Sequence, residues 1–124
     1  MTNFSSSWKS SKDPGKQRKF VANAPLHQRG KFLHSHLSEE LSKKFGKRAV
    51  RVRKGDKVKI MTGQFKGKSG KIDEVDTREA RVYISGIEIQ KKDGTKTRYP
   101  VTISNLTVTE LFEDKKRLES LKRK

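Results

Sequence analysis

The stretch over residues 54–75, KGDKVKIMTGQFKGKSGKIDEV, leaves this chain the fewest choices. Val58 and Ile60 alternate with Lys57 and Lys59, the period of a strand with one buried face. A loop carrying Gly63, Gly67 and Gly70 follows, and Ile72 and Val75 then resume the apolar pattern. Glycine adopts backbone angles that other residues resist, so Gly55, Gly63, Gly67 and Gly70 are the expected turn-forming positions. The loop also gathers Lys66, Lys68 and Lys71, and its glycines would let backbone N–H groups approach a phosphate.

Short alternating segments continue to residue 109. Val82 and Ile84 predict a third strand, Ile87 and Ile89 a fourth. Asp93-Gly94 is a hairpin turn signal. Tyr99, Val101 and Ile103 alternate after it, although Pro100 confines that stretch to an edge or a strand end. Leu106 and Val108 predict a last short strand. Five or six short strands with frequent turns fit a small closed or partly open β-barrel over residues 55–109.

The flanks read differently. Over residues 25–46, Leu33, Leu37, Leu41 and Phe45 recur every four positions, the spacing of one helix face. Pro25 suits a helix start, Ser35 or Ser38 an N-cap, and Gly46 a left-handed stop. Glu39 and Glu40 precede Lys43 and Lys44 by four, the order that favours a helix, and Gly30 is expected to split the region in two. Residues 1–19 combine five serines, Pro14, Gly15 and five cations from Lys9 to Lys19, the composition of a flexible arm. Trp8 is its one large ring, suited either to stacking on a base or to packing against the domain. Residues 110–124 read as a basic tail, helical from Glu110, with Leu111, Leu118 and Leu121 as anchors.

Charge separates these regions sharply. The formal net charge is +17. Residues 1–54 hold 14 Lys and Arg against 3 Asp and Glu, residues 55–114 hold 11 against 10, and residues 115–124 hold 6 against 1. The barrel region is thus almost neutral, and the cations lie beside it. Such a layout suits a folded module with extensions that neutralise a polyanion, releasing its condensed counterions. Hydrophobic residues make up only 30%, so part of the chain is expected to order on a partner. An anionic membrane would call for an amphipathic basic helix or a lipid anchor, and neither pattern is clear. Without cysteine, a long apolar run or a signal-type segment, the expectation is a soluble intracellular protein free of disulfides and thiolate metal sites.

The glycine skeleton of residues 54–75 resembles the KOW motif of ribosomal proteins and transcription elongation factors, which forms part of an SH3-like β-barrel. Further segments narrow the resemblance. Ala24-Pro25-Leu26-His27-Gln28-Arg29 looks like an A-P-L-H-x-R leader, His36–Leu41 like a helix that follows it, Arg53-Lys54-Gly55-Asp56 like the approach to the motif, and Ser104-Asn105 like a pair before the last strand. Together they resemble the large-subunit ribosomal protein L-twenty-four family in its archaeal and eukaryotic form, called L-twenty-six in eukaryotes, over roughly residues 20–112. The first 19 residues depart from that pattern.

The resemblance implies a mainly β fold: a small SH3-like KOW barrel with N-terminal helices and basic extensions. It implies a non-enzymatic constituent of the cytoplasmic large ribosomal subunit that binds large-subunit rRNA early in assembly, near the polypeptide exit tunnel. Neighbouring ribosomal proteins are the other implied partners, with no membrane, small-molecule substrate or cofactor. The expected division is a basic flexible arm (1–24), a helical RNA-binding leader (25–54), the barrel (55–109) and a basic tail (110–124). A transcription-factor KOW module and a chromatin protein are the rival readings.

Candidate contacts with rRNA are the clustered cations, arginines above all for bidentate phosphate binding. They are Lys16, Arg18 and Lys19; Arg29 and Lys31; Lys43, Lys44, Lys47 and Arg48; Arg51, Arg53 and Lys54; and Lys66, Lys68 and Lys71, with Trp8, His27 and His34 as ring or phosphate contacts. The ordinary alternative for each is a solvated surface position. The three histidines lack the spacing of a zinc-binding helix. Asp73, Glu74 and Asp76 fit a solvated turn better than an acid–base pair, and the glycine loop does not match a Walker loop.

Overall fold

The computed structural model describes residues 4–5, 7–8 and 10–123; Ser6 and Lys9 of the expected arm and Lys124 of the tail lie outside the described residues. Seven strands form one sheet: β1 (His34–Leu37), β2 (Ala49–Arg51), β3 (Lys57–Ile60), β4 (Ser69–Asp76), β5 (Arg81–Gln90), β6 (Lys96–Thr102) and β7 (Leu106–Glu110). Their order across the sheet is β2-β1-β7-β3-β4-β5-β6. All pairs are antiparallel except β1 with β7. A 3-10 turn at Ile103–Asn105 carries the chain from the β6 edge back to β7 beside β3, which wraps the sheet into a small, partly open barrel. This is the mainly β, KOW-type architecture that the glycine skeleton implied.

The alternation in the barrel has the expected packing outcome. Val58, Ile60, Ile72, Val82, Ile84, Val101, Leu106 and Val108 are buried in one core. Pro100 sits on β6, an edge strand, where its missing N–H costs no central ladder bond. The segments expected as third and fourth strands are one continuous strand, β5. Burial runs Val82, Ile84, then Ile87, a one-residue change of phase, and the pairing register with β6 shifts between Tyr83 and Glu88. A bulge at Gly86, with φ +84°, changes the face without ending the strand.

Correction is needed over residues 25–46. Only Leu26–Arg29 (α2) and Glu39–Phe45 (α3) are α-helical; Gly30–Leu33 is a 3-10 turn and His34–Leu37 is β1. Leu33 and Leu37 are buried as expected, but Leu33 ends the 3-10 turn and Leu37 lies in β1, so no single helix face joins them. Pairing with β2 on one side and β7 on the other decides for the strand, and buried Ser35 donates its hydroxyl to the Leu106 carbonyl at 2.7 Å. The ends of α3 match the sequence: Ser38 is its N-cap, and Gly46 follows in the left-handed region at φ +64°.

The expected arm contains a helix, α1 (Pro14–Asn23), capped by Asp13, whose Oδ1 accepts from Gly15 N at 2.9 Å. No residue of α1 is buried. The tail forms α4 (Lys115–Lys122) with Asp114 as N-cap, later than a start at Glu110, and it buries Leu121 against the core.

Candidate nucleic-acid interface

The opening turn of the KOW stretch is organised around a buried carboxylate. Asp56 is fully buried, and its oxygens accept from Arg53 N at 3.1 Å and Phe112 N at 2.8 Å. Arg117, on α4, forks onto both oxygens at 2.6 Å and also donates to the Arg51 carbonyl at 2.7 Å. A buried charge survives only when it is paired and its remaining lone pairs are satisfied, and here both conditions hold. Arg53 bonds the Asp114 carboxylate and lies over the Phe112 ring, 5.5 Å from its centroid. That bond holds the Asp114 carboxyl below its ordinary value, so the tie persists at neutral pH and is lost only as pH falls through the lowered value. The tail is therefore docked on the barrel, and Arg117 is part of the fold. Its basic composition concealed this role.

The loop over residues 61–68 presents Lys66 and Lys68 to solvent, with Lys68 over the Phe65 ring at 5.1 Å. Part of its backbone is already engaged. The N–H groups of Lys66, Gly67 and Lys68 donate to the carbonyls of Gly63, Ile60 and Phe65. Gly55, Gly63 and Gly67 have positive φ, as their turn role requires, but Gly70 does not. Gly70 is needed for room: a Cβ there would lie 2.7 Å from the Ser85 carbonyl oxygen.

The proposed cations divide by what they touch. Lys16, Arg18, Lys19, Lys31, Lys43, Lys44, Arg48, Lys54 and Lys71 are exposed, and Lys47 is half-buried. Lys43 and Arg48 flank a shallow cleft with His36 and Glu39, while Lys44 and Lys47 share another with Lys122 and Arg123. Arg51 is exposed, with its guanidinium beside Gly30, where an added Cβ would meet it at 2.8 Å. Arg29 is turned onto backbone carbonyls: Nε donates to Ala24 at 2.9 Å, Nη2 to Ala22 at 2.6 Å and Nη1 to Arg78 at 3.3 Å. Trp8 stacks on Phe20 of α1 at 4.5 Å, and Phe4 closes on the same ring at 4.9 Å. Trp8 thus packs within the arm, on α1. His27 is exposed, and His34 Nδ1 donates to the Lys31 carbonyl at 2.9 Å. Among the described residues, no three His, Asp or Glu side chains gather as metal ligands would, and no helix is long and apolar enough to cross a membrane.

Sequence reasoning passed over several cations. Arg78 and Arg81 flank the β4–β5 turn beside α1. Lys91, Lys92 and Lys96 lie on the β5–β6 hairpin, where residues 88–98 are exposed on both faces. Arg98 pairs there with Glu74 at 3.0 Å. Their only signal in the sequence was charge within a region whose net charge is near zero.

Comparison with known proteins adds a second kind of finding. Residues 11–124 match the family model of ribosomal proteins L26 of eukaryotes and L24p of archaea, a wider span than the motifs alone marked. A protein of Methanosphaera stadtmanae called "Large ribosomal subunit protein uL24" is 44% identical over 115 residues, covering 92% of this chain and 98% of that one. Proteins of the same name from Methanospirillum hungatei and Korarchaeum cryptofilum are 46% and 42% identical over 112 residues, covering 90% of this chain and 93% and 86% of theirs.

Proposed function

Because this chain belongs to the family of ribosomal proteins L26 of eukaryotes and L24p of archaea, we propose that it serves in the large ribosomal subunit as an rRNA-binding protein. It is a structural component of the cytoplasmic large subunit and not an enzyme. The finer reading is that its exposed cations bind large-subunit rRNA early in assembly, close to the polypeptide exit tunnel, beside other ribosomal proteins. The observation that carries it is the concentration of cations outside a nearly neutral barrel. Exposed lysines and arginines on several separate elements suit the irregular phosphate surface of folded RNA, which is read by shape and 2′-hydroxyl contacts more than by base sequence. On this reading residues 1–24 are an RNA-binding extension, residues 25–54 contribute exposed cations while β1 and β2 join the sheet, and the tail binds RNA in part.

Co-sedimentation tests this directly. The full chain is expected to travel with large subunits at moderate salt, and to bind protein-free large-subunit rRNA with a steep salt dependence. A chain lacking residues 1–19 loses five cations. It is expected to stay folded, because α1 buries nothing, and to bind rRNA with a shallower log–log slope, by about 0.7–0.9 for each phosphate that the arm neutralises. An unchanged slope would remove the arm from the interface. Sedimentation with RNA polymerase or chromatin instead of large subunits would overturn the whole reading.

A further inference from the structure

Helix α1 has no buried residue, yet it is held in one place against the barrel. What ties it is Arg29, whose guanidinium donates to Ala22 and Ala24 at the end of α1 and to Arg78 in the β4–β5 turn. The turn is itself shaped. Asp76 Oδ1 accepts from the N–H groups of Arg78 and Glu79, at 2.9 and 3.3 Å, and Ala80 takes the left-handed region at φ +57°, a strained choice for a residue with a Cβ. The result is an open cleft between α1 and the turn, with Arg18 on one wall and Arg78 and Arg81 on the other. Glu79 is its one acid. None of the ion pairs among the described residues includes Arg18, Arg78, Arg81 or Glu79.

We propose that this cleft is a composite binding site for RNA backbone phosphates, in which Arg18, Arg78 and Arg81 grip the phosphates and Arg29 acts as the positioning residue that keeps the two walls together. The proposal rests on the rRNA-binding reading above and gives it a place. Three guanidiniums facing one cleft repel each other unless an anion sits among them, and their planar forks match phosphate oxygens in pairs. Arg29 turns one N–H of each of its three nitrogens onto a carbonyl, so the role assigned to it is geometry. The Ala24-Pro25 to Arg29 leader then has a mechanical meaning: it reverses the chain after α1 and returns a guanidinium to the carbonyls just passed.

The test uses the full chain and protein-free large-subunit rRNA, with affinity measured across a salt series. Arg78→Gln with Arg81→Gln is expected to weaken binding by at least about tenfold and to lower the log–log salt slope by about 1.4–1.8. Arg29→Lys keeps the net charge but cannot fork onto three carbonyls. It is expected to weaken binding severalfold in the natural chain and to have no further effect in the Arg78→Gln, Arg81→Gln background. Thermal melts of each variant separate lost binding from lost folding. If the natural chain binds rRNA but the double variant keeps its affinity and slope, the cleft is not a phosphate site. If Arg29→Lys costs the same in both backgrounds, its positioning role falls. Retained rRNA affinity with lost incorporation into subunits would assign the cleft to an acidic protein surface and overturn the proposal. Absence of rRNA binding by the natural chain would instead bring down the proposed function itself.

Discussion

Replacing Asp56 by Ala is expected to cost about 3–5 kcal/mol of folding stability, more than any other single polar substitution in this chain. The carboxylate is completely buried and accepts two backbone N–H groups and both arms of the Arg117 fork. Its removal leaves a guanidinium that is one-tenth exposed with a single carbonyl for company, and strands the N–H groups of Arg53 and Phe112. A domain of this size is stable by only about 5–15 kcal/mol, so a large part of its reserve would go. Urea unfolding at neutral pH reads the effect as a lower midpoint. Arg117→Met should also be destabilising, since it leaves the buried charge on Asp56 unpaired. The double variant should then cost less than the two singles together, because each single strands the partner that the double removes. A cost under about 1 kcal/mol for Asp56→Ala, or simple additivity in the cycle, would mean that the tail is not anchored here. Because Phe112, Asp114 and Arg117 all meet the Arg53 to Asp56 turn, the same substitution should loosen α4, exposing its amides to hydrogen exchange before the barrel opens.

That anchor also marks where the sequence stops being legible. Within the barrel, local chemistry and tertiary outcome agree: alternation gave the buried faces of β3 and β7, Asp93-Gly94 the β5–β6 turn, Pro100 the edge, and Ser38 and Gly46 the ends of α3. Leu37 was legible as buried but not as strand, because spacing by four fits both periods and only the neighbours β2 and β7 decide, while Leu33, also buried, ends a 3-10 turn. β2 is three residues long and carries no pattern of its own. Asp56 and Arg117 stand 61 residues apart, and nothing in either residue's surroundings announces the other. The cations pose the same problem in sharper form. Arg29, Arg53 and Arg117 are indistinguishable in sequence from Arg18 or Arg48, yet the first three are engaged with carbonyls or carboxylates. A guanidinium becomes structural or free for a ligand by what the fold places within reach of it, and composition cannot carry that information.

The two glycines closest in the motif should respond to substitution in opposite ways. Gly67 needs its backbone angle, φ +89°, but has nothing within 4 Å of an added Cβ. Gly70 has an ordinary backbone angle but no space, since a Cβ would meet the Ser85 carbonyl oxygen at 2.7 Å and Ile84 Cγ2 at 2.9 Å. Asparagine tolerates the left-handed region, so Gly67→Asn is expected to cost about 1 kcal/mol or less. Gly70→Ala must push β4 away from the neighbouring backbone of β5, because a carbonyl oxygen cannot swing aside as a side chain can. Overpacking of this kind costs about 1–3 kcal/mol, and the upper part of that range is expected here. Gly70→Val should exceed it, since its branched side chain adds two methyl groups to a space already too small for one. The damage should also be local in a measurable way. Amides of β4 and β5 should lose exchange protection in Gly70→Ala, while those of β1 and β2, at the opposite end of the sheet, keep theirs. If Gly67→Asn proved the costlier change, the motif would be held by the conformation of its loop. The expected order instead identifies close contact between two strands as the constraint that fixes glycine at position 70.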